Sequence, residues 1–96
     1  MDKVKFQITS MITGSGRGIG KAIALKLAEN NHKLILLVQK KNHKIELEKI
    51  LKKKKINFSI YVGDLRNLKF LNSFKSKKIK VNNLINNSAL PNTKHF

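Results

Sequence analysis

Short apolar runs alternate with helix-spaced apolar positions from one end of the chain to the other. "TSMIT" (9–13), "KLILLV" (33–38), "NFSIYV" (57–62) and "NNLIN" (82–86) are brief and bounded by Gly, Asn or Asp, as buried strands are. Three helices fit between them. The first carries Ile19, Ile23, Ala24 and Leu27 on one stripe and should stop at Asn30-Asn31, because asparagine tolerates the left-handed C-cap. The second, from about 42 to 54, turns Leu47, Ile50 and Leu51 inward and lysines outward. The third takes Asn67 as its N-cap and buries Leu68, Leu71 and Phe74.

Strand and helix alternating in this way predict right-handed crossovers on a parallel sheet, an open α/β fold. Strand 1 fits least well: a central parallel strand is buried on both faces, yet Thr9 and Ser10 interrupt its apolar run. No repeat or low-complexity linker divides the chain, and only Pro91 breaks the rhythm.

Between strand 1 and helix 1 stand four glycines, Gly14, Gly16, Gly18 and Gly20. A glycine turn leading into a helix offers backbone N–H groups at the positive helix end and so accepts phosphate. The P-loop spacing G-x4-G-K-[ST] fails, since Ala22 follows Gly20-Lys21 and Ser15 stands where the first glycine should be. The G-x-G-x-x-G spacing fails as well, because Ile19 occupies its last position. What remains is T-G-x3-G-x-G, written "TGSGRGIG" from Thr13 to Gly20.

That loop, with "KAIALKLAEN" after it, resembles the cofactor loop and first helix of the short-chain dehydrogenase/reductase family. Two further landmarks stand at family-like distances: "GDL" (63–65) after strand 3 and "LINNSA" (84–89) at the end of strand 4. The resemblance covers about residues 8 to 90. It implies a Rossmann-type open parallel sheet with flanking helices, here truncated after about the fourth strand. Residues 1–96 would form the N-terminal NADP-binding part of the domain. It further implies that Gly14, Ser15, Gly16, Arg17, Gly18, Ile19 and Gly20 cradle the cofactor. Asp64 would touch the adenine with the Leu65 backbone beside it, and Asn87, Ser88 and Ala89 would border the ribose. The family usually has Ala and Gly at positions 88 and 89; a Cβ at Ala89 narrows the approach to the ribose. Asn86 and Asn87 also have a purely structural reading, as amides that clamp neighbouring strands.

An NAD site needs a carboxylate at the end of strand 2, whereas an NADP site needs cations for the dianionic 2'-phosphate. Gln39, Lys40 and Lys41 supply no carboxylate there. Arg17 stands where NADP-dependent members of the family often carry an arginine, and Arg17 and Arg66 are the only arginines in the chain. NADP(H) is therefore the expected cofactor.

The resemblance also implies what this stretch lacks. The family reduces a carbonyl to an alcohol with a serine and a Tyr-x3-Lys motif. The one tyrosine, Tyr61, is followed four residues later by Leu65 and lies in expected strand 3, so it reads as a packed sheet residue and no catalytic residue is assigned. Among family members, "GSGRGIGKAIA" looks most like bacterial 3-oxoacyl-[acyl-carrier-protein] reductases of fatty-acid biosynthesis, oxidoreductases whose partner is an acyl carrier protein-linked substrate. Full-length members are usually homo-oligomeric, and a half-fold should leave a strand edge and a sheet face uncovered.

Composition changes little of this. The formal charge of +16 suits nucleic acid or another anionic partner, but lysine, asparagine and isoleucine are all abundant, as nucleotide-composition bias would make them. The only lysine run longer than two residues is 52–55, and the bland reading is a solvated surface. There is no cysteine, and His32, His43 and His95 lack metal-site spacing, so no metal is expected. No apolar run is long enough for a membrane span and "MDKVKFQITS" is no signal peptide, which leads to the expectation of a cytoplasmic protein. Two rivals stand beside the oxidoreductase reading. One is a truncated, non-catalytic remnant with weak or no nucleotide binding. The other is a basic nucleic-acid-binding protein, which would need lysines on one face with aromatic residues free for stacking.

Overall fold

The computed structural model of the chain describes residues 7–64 and 66–87. Its elements are β1 (Thr9–Thr13), α1 (Gly18–Glu29), β2 (Lys33–Val38), α2 (Lys41–Lys54), β3 (Phe58–Val62), α3 (Leu68–Lys75) and β4 (Asn83–Asn86). All strand pairs are parallel and the sheet order is β3-β2-β1-β4. The expected open α/β sheet is therefore present, with two strands on one side of β1 and β4 on the other. Strand order reverses between β1 and β4, and their C-terminal ends, Thr13 and Asn86, lie side by side. In open α/β sheets that reversal opens a crevice where ligands bind.

Helices α1 and α2 pack on one sheet face. Ile12, Leu34, Leu36, Val38 and Ile60 meet Ala24 and Ala28 of α1 and Leu47 and Leu51 of α2 in a single buried cluster. Strand β2 is apolar at every position after Lys33, and all of those positions are buried, as suits a strand covered on both faces. Ser10, the irregularity of β1, is also fully buried and is hydrogen-bonded on two sides. His32 Nδ1 lies 2.8 Å from its hydroxyl, and the Asn83 amide donates to it at 3.2 Å. A polar residue is tolerated in this strand because both neighbours supply partners.

Two apolar assignments need correction. Ile19 is 72% exposed, because the buried stripe of α1 is Gly20, Ala24 and Ala28, with Ile23 and Leu27 at its margins. The helix turns its smallest residues to the sheet, which lets its axis come close. Leu68 is 68% exposed, because α3 meets the sheet through aromatic rings instead. Phe74 packs edge-on to Tyr61 of β3 at 5.2 Å, Phe70 stacks on Phe74 at 6.0 Å, and Leu68 points about half a turn away from Phe70.

The helix ends follow local chemistry. At the end of α1, Asn31 takes φ 62°, its N–H donates to Ala28 O, and His32 N–H reaches back to Leu27 O, a Schellman closure. Asn67 caps α3, its side-chain oxygen accepting from Phe70 N–H at 3.0 Å.

Candidate functional site

The loop from Gly14 to Arg17 leaves the C-terminal end of β1 and enters α1 at Gly18. Gly14 and Gly18 take φ 63° and 61°, the left-handed region that a side chain disfavours. Ser15 is buried and tied to the end of β2: both its N–H and its hydroxyl donate to Leu37 O at 3.1 Å. A Cβ at Gly20 would run into Gly14 O and the amide of Asn87, so only glycine lets α1 start this close to the strand.

Asn87 closes the other side. Its amide donates to Gly14 O at 3.3 Å, its backbone N–H donates to Thr13 Oγ1 at 2.9 Å, and the Thr13 hydroxyl donates to Asn86 Oδ1 at 3.0 Å. Both asparagines therefore clamp β1 to β4, the structural role open to them from sequence. Asn87 also faces the open space beside the loop.

That space is a cleft of about 310 Å³ lined by Gly14, Gly16, Arg17, Gly18, Gln39, His43 and Asn87. The volume is at the small end of the range for ligand pockets. Arg17 is exposed at its edge and pairs with no carboxylate among the described residues. It forms the N-cap of α1 without a side-chain cap, and no acidic residue occupies the first helical turn. The N–H groups of Gly18, Ile19 and Gly20 lie in that turn, where no intrahelical acceptor exists, and they point with the positive end of the helix dipole. Backbone donors, a guanidinium unpaired among the described residues and the absence of acid among the described lining residues give this rim the chemistry that can receive an anion such as a dinucleotide's phosphate.

Of the other residues singled out from sequence, Gln39 reaches the cleft, while Lys40 is exposed at the start of α2 and does not line it. Asp64 does not line it either: its carboxylate is gripped by Arg66, whose Nε donates to both oxygens at 3.1 Å and whose Nη2 donates to Oδ2 at 2.7 Å. These bonds, with the Arg66 backbone N–H, hold the Asp64 carboxyl below its ordinary value. Leu65, Ser88 and Ala89 lie outside the described residues. His43 was not expected here. It lies in the first turn of α2, and only the folding of that helix beside the loop brings it to Gly16, so no motif marks it.

Tyr61 is engaged with Phe74 and sits under the Lys77 ammonium, 5.5 Å from the ring centroid. Phe58 packs against the core. The described aromatic residues are thus occupied in packing and form no stacking platform for bases. Among the described residues no cluster of His, Cys, Asp or Glu could hold a metal, and no helix is long and apolar enough to cross a membrane.

Comparison with known proteins agrees with this geometry. Residues 9–96 match the family model for short chain dehydrogenases. None of the curated proteins matches the chain. Among solved structures, the bulky-bulky ketone specific alcohol dehydrogenase from Comamonas testosteroni superposes with a TM-score of 0.80 at 25% identity, over 96% of this chain and 40% of its own. An NADPH-dependent reductase of bacilysin biosynthesis gives 0.73 at 24% identity, over 88% of this chain and 35% of its own. A metagenomic short-chain oxidoreductase in complex with NADP gives 0.76 at 22% identity, over 86% and 39%. The chain thus spans less than half the length of each of these relatives.

Proposed function

The chain belongs to the short-chain dehydrogenase family, and from that premise we propose that it is the NADP(H)-binding portion of an oxidoreductase that reduces a carbonyl to an alcohol. The observation that carries the reading is the cleft itself. It opens at the strand-order reversal, is rimmed by free first-turn N–H groups and by Arg17, and has no carboxylate at the end of β2. Two of the structural relatives are described as NADPH-dependent or bound to NADP.

In this reading the backbone of Gly14 to Gly20 receives the diphosphate and Arg17 forks onto the 2'-phosphate, with Gln39 and Lys40 beside it. Asn87, Ser88 and Ala89 border the ribose, and Asp64 and Leu65 flank the base. The bound nicotinamide would supply the hydride. The residues of this chain anchor and orient the cofactor and leave proton transfer to groups they do not include. The loop's likeness to 3-oxoacyl-[acyl-carrier-protein] reductases makes an acyl thioester the substrate to try first, and a basic surface would suit an acidic carrier.

Binding tests the proposal directly. NADPH should raise the melting temperature of the chain more than NADH does, and Arg17→Ala should weaken NADPH by about tenfold or more while leaving NADH nearly unchanged. Equal loss for both cofactors would remove the 2'-phosphate assignment. No response to either at millimolar concentration would sink cofactor binding and favour the non-catalytic remnant.

A further inference from the structure

His43 is the cleft residue that the cofactor assignment above leaves without a task. Its ring lies directly on the glycine loop: a Cβ at Gly16 would come within 2.6 Å of its Nδ1 and 2.9 Å of its Cβ and Cγ. Gly16 is buried and its φ is not in the left-handed region, so the missing side chain there serves this contact and not the backbone turn. Among the described residues the imidazole makes no side-chain hydrogen bond, which leaves its donor capacity for a ligand.

The surroundings select the ligand's charge. Arg17, Gln39 and Asn87 share the cleft with His43, and none of them is acidic. The first turn of α2 contains no acid and no side-chain cap, and Lys40, Lys41 and Lys44 flank it. The nearest acid along the helix, Glu46, is held by Lys21 of α1 at 3.1 Å. An imidazole and a guanidinium therefore line the same cleft, the imidazole on an acid-free first helical turn, and no acidic residue is among the described residues that line it.

We propose that His43 is a specificity-determining contact to the phosphate on the adenosine ribose, seated against the loop because Gly16 leaves room for its ring. The inference rests on the NADP(H) reading above. It adds a second recognition group to Arg17 and gives Gly16 a role distinct from those of Gly18 and Gly20.

The test uses titration calorimetry of the whole chain with adenosine 2',5'-bisphosphate and with 5'-AMP, with a melting curve for each variant. His43→Ala should weaken the bisphosphate by roughly tenfold, the size of one hydrogen bond to a charged group, and 5'-AMP by less than about twofold. His43→Gln, which keeps a donor, should retain part of the preference. Gly16→Ala should reproduce the effect of His43→Ala by displacing the ring, and should add nothing when His43 is already alanine. Equal loss of both ligands would overturn the proposal, since the imidazole would then stack on the base or merely prop the loop. So would additive losses in the double variant, because the loop itself would be at fault. A wild-type chain that fails to prefer the bisphosphate defeats the NADP(H) reading and this inference together; a preference that survives His43→Ala defeats only the inference.

Discussion

Asp64 and Arg66 sit two residues apart, and three side-chain hydrogen bonds join them on an exposed turn. Because folding holds the Asp64 carboxyl below its ordinary value, the stability this pair contributes is complete above the ordinary carboxylate range. It is lost as pH falls through the lower, folded value. Solvent screening keeps the contribution small. Arg66→Ala should return the Asp64 titration, followed by carboxyl NMR, to the ordinary range. The slight melting difference between variant and wild type should disappear in acid; an unchanged titration would show that the pair does not form in solution. Residue-scale legibility was uneven. The glycines, Ser15, Arg17 and Gln39 stand out because spacing after a strand constrains them. Neither the grip of Arg66 on Asp64 nor the seat of His43 on Gly16 has a spacing signature, since one depends on a local turn and the other on two helices packing side by side.

At the scale of elements, strands and helices were legible to within a residue or so, because period and punctuation both come from local chemistry. Which face each helix buries was less so. The expected stripe of α1 was displaced by one residue toward Gly20, Ala24 and Ala28, since close approach to the strand favours the smallest side chains over the most hydrophobic. Helix α3 buries no residue completely and touches the sheet through Phe70 and Phe74. The two helices should therefore respond very differently to truncation. Leu47→Ala in α2, at a fully buried site, should cost about 2–5 kcal/mol by denaturant titration. Leu68→Ala in α3 should stay within about 0.5 kcal/mol. A large loss at Leu68 would mean that α3 packs more tightly in solution than here.

For the whole molecule, charge and coverage dominate. A net +16 on 96 residues makes the folded state repel itself. Raising salt from about 20 to about 500 mM shortens the screening length from roughly 20 to roughly 4 Å and should raise the melting temperature by a few degrees. An unchanged or lower melting point would show that the lysines are spaced widely enough to be indifferent. Among the described residues β4 is an outer strand of the sheet, and Leu84 on it is 63% exposed. The alternation of strands and helices, the parallel sheet, the glycine loop between β1 and α1 and the lack of an acid at the end of β2 could all be read from the sequence, because each is written in neighbouring residues. The burial of Ser10 between His32 and Asn83, the bond from Asn87 to the loop and the position of His43 in the cleft arise only from tertiary packing. Those contacts join positions distant in the chain, and they exist only where the packed sheet and helices bring them together.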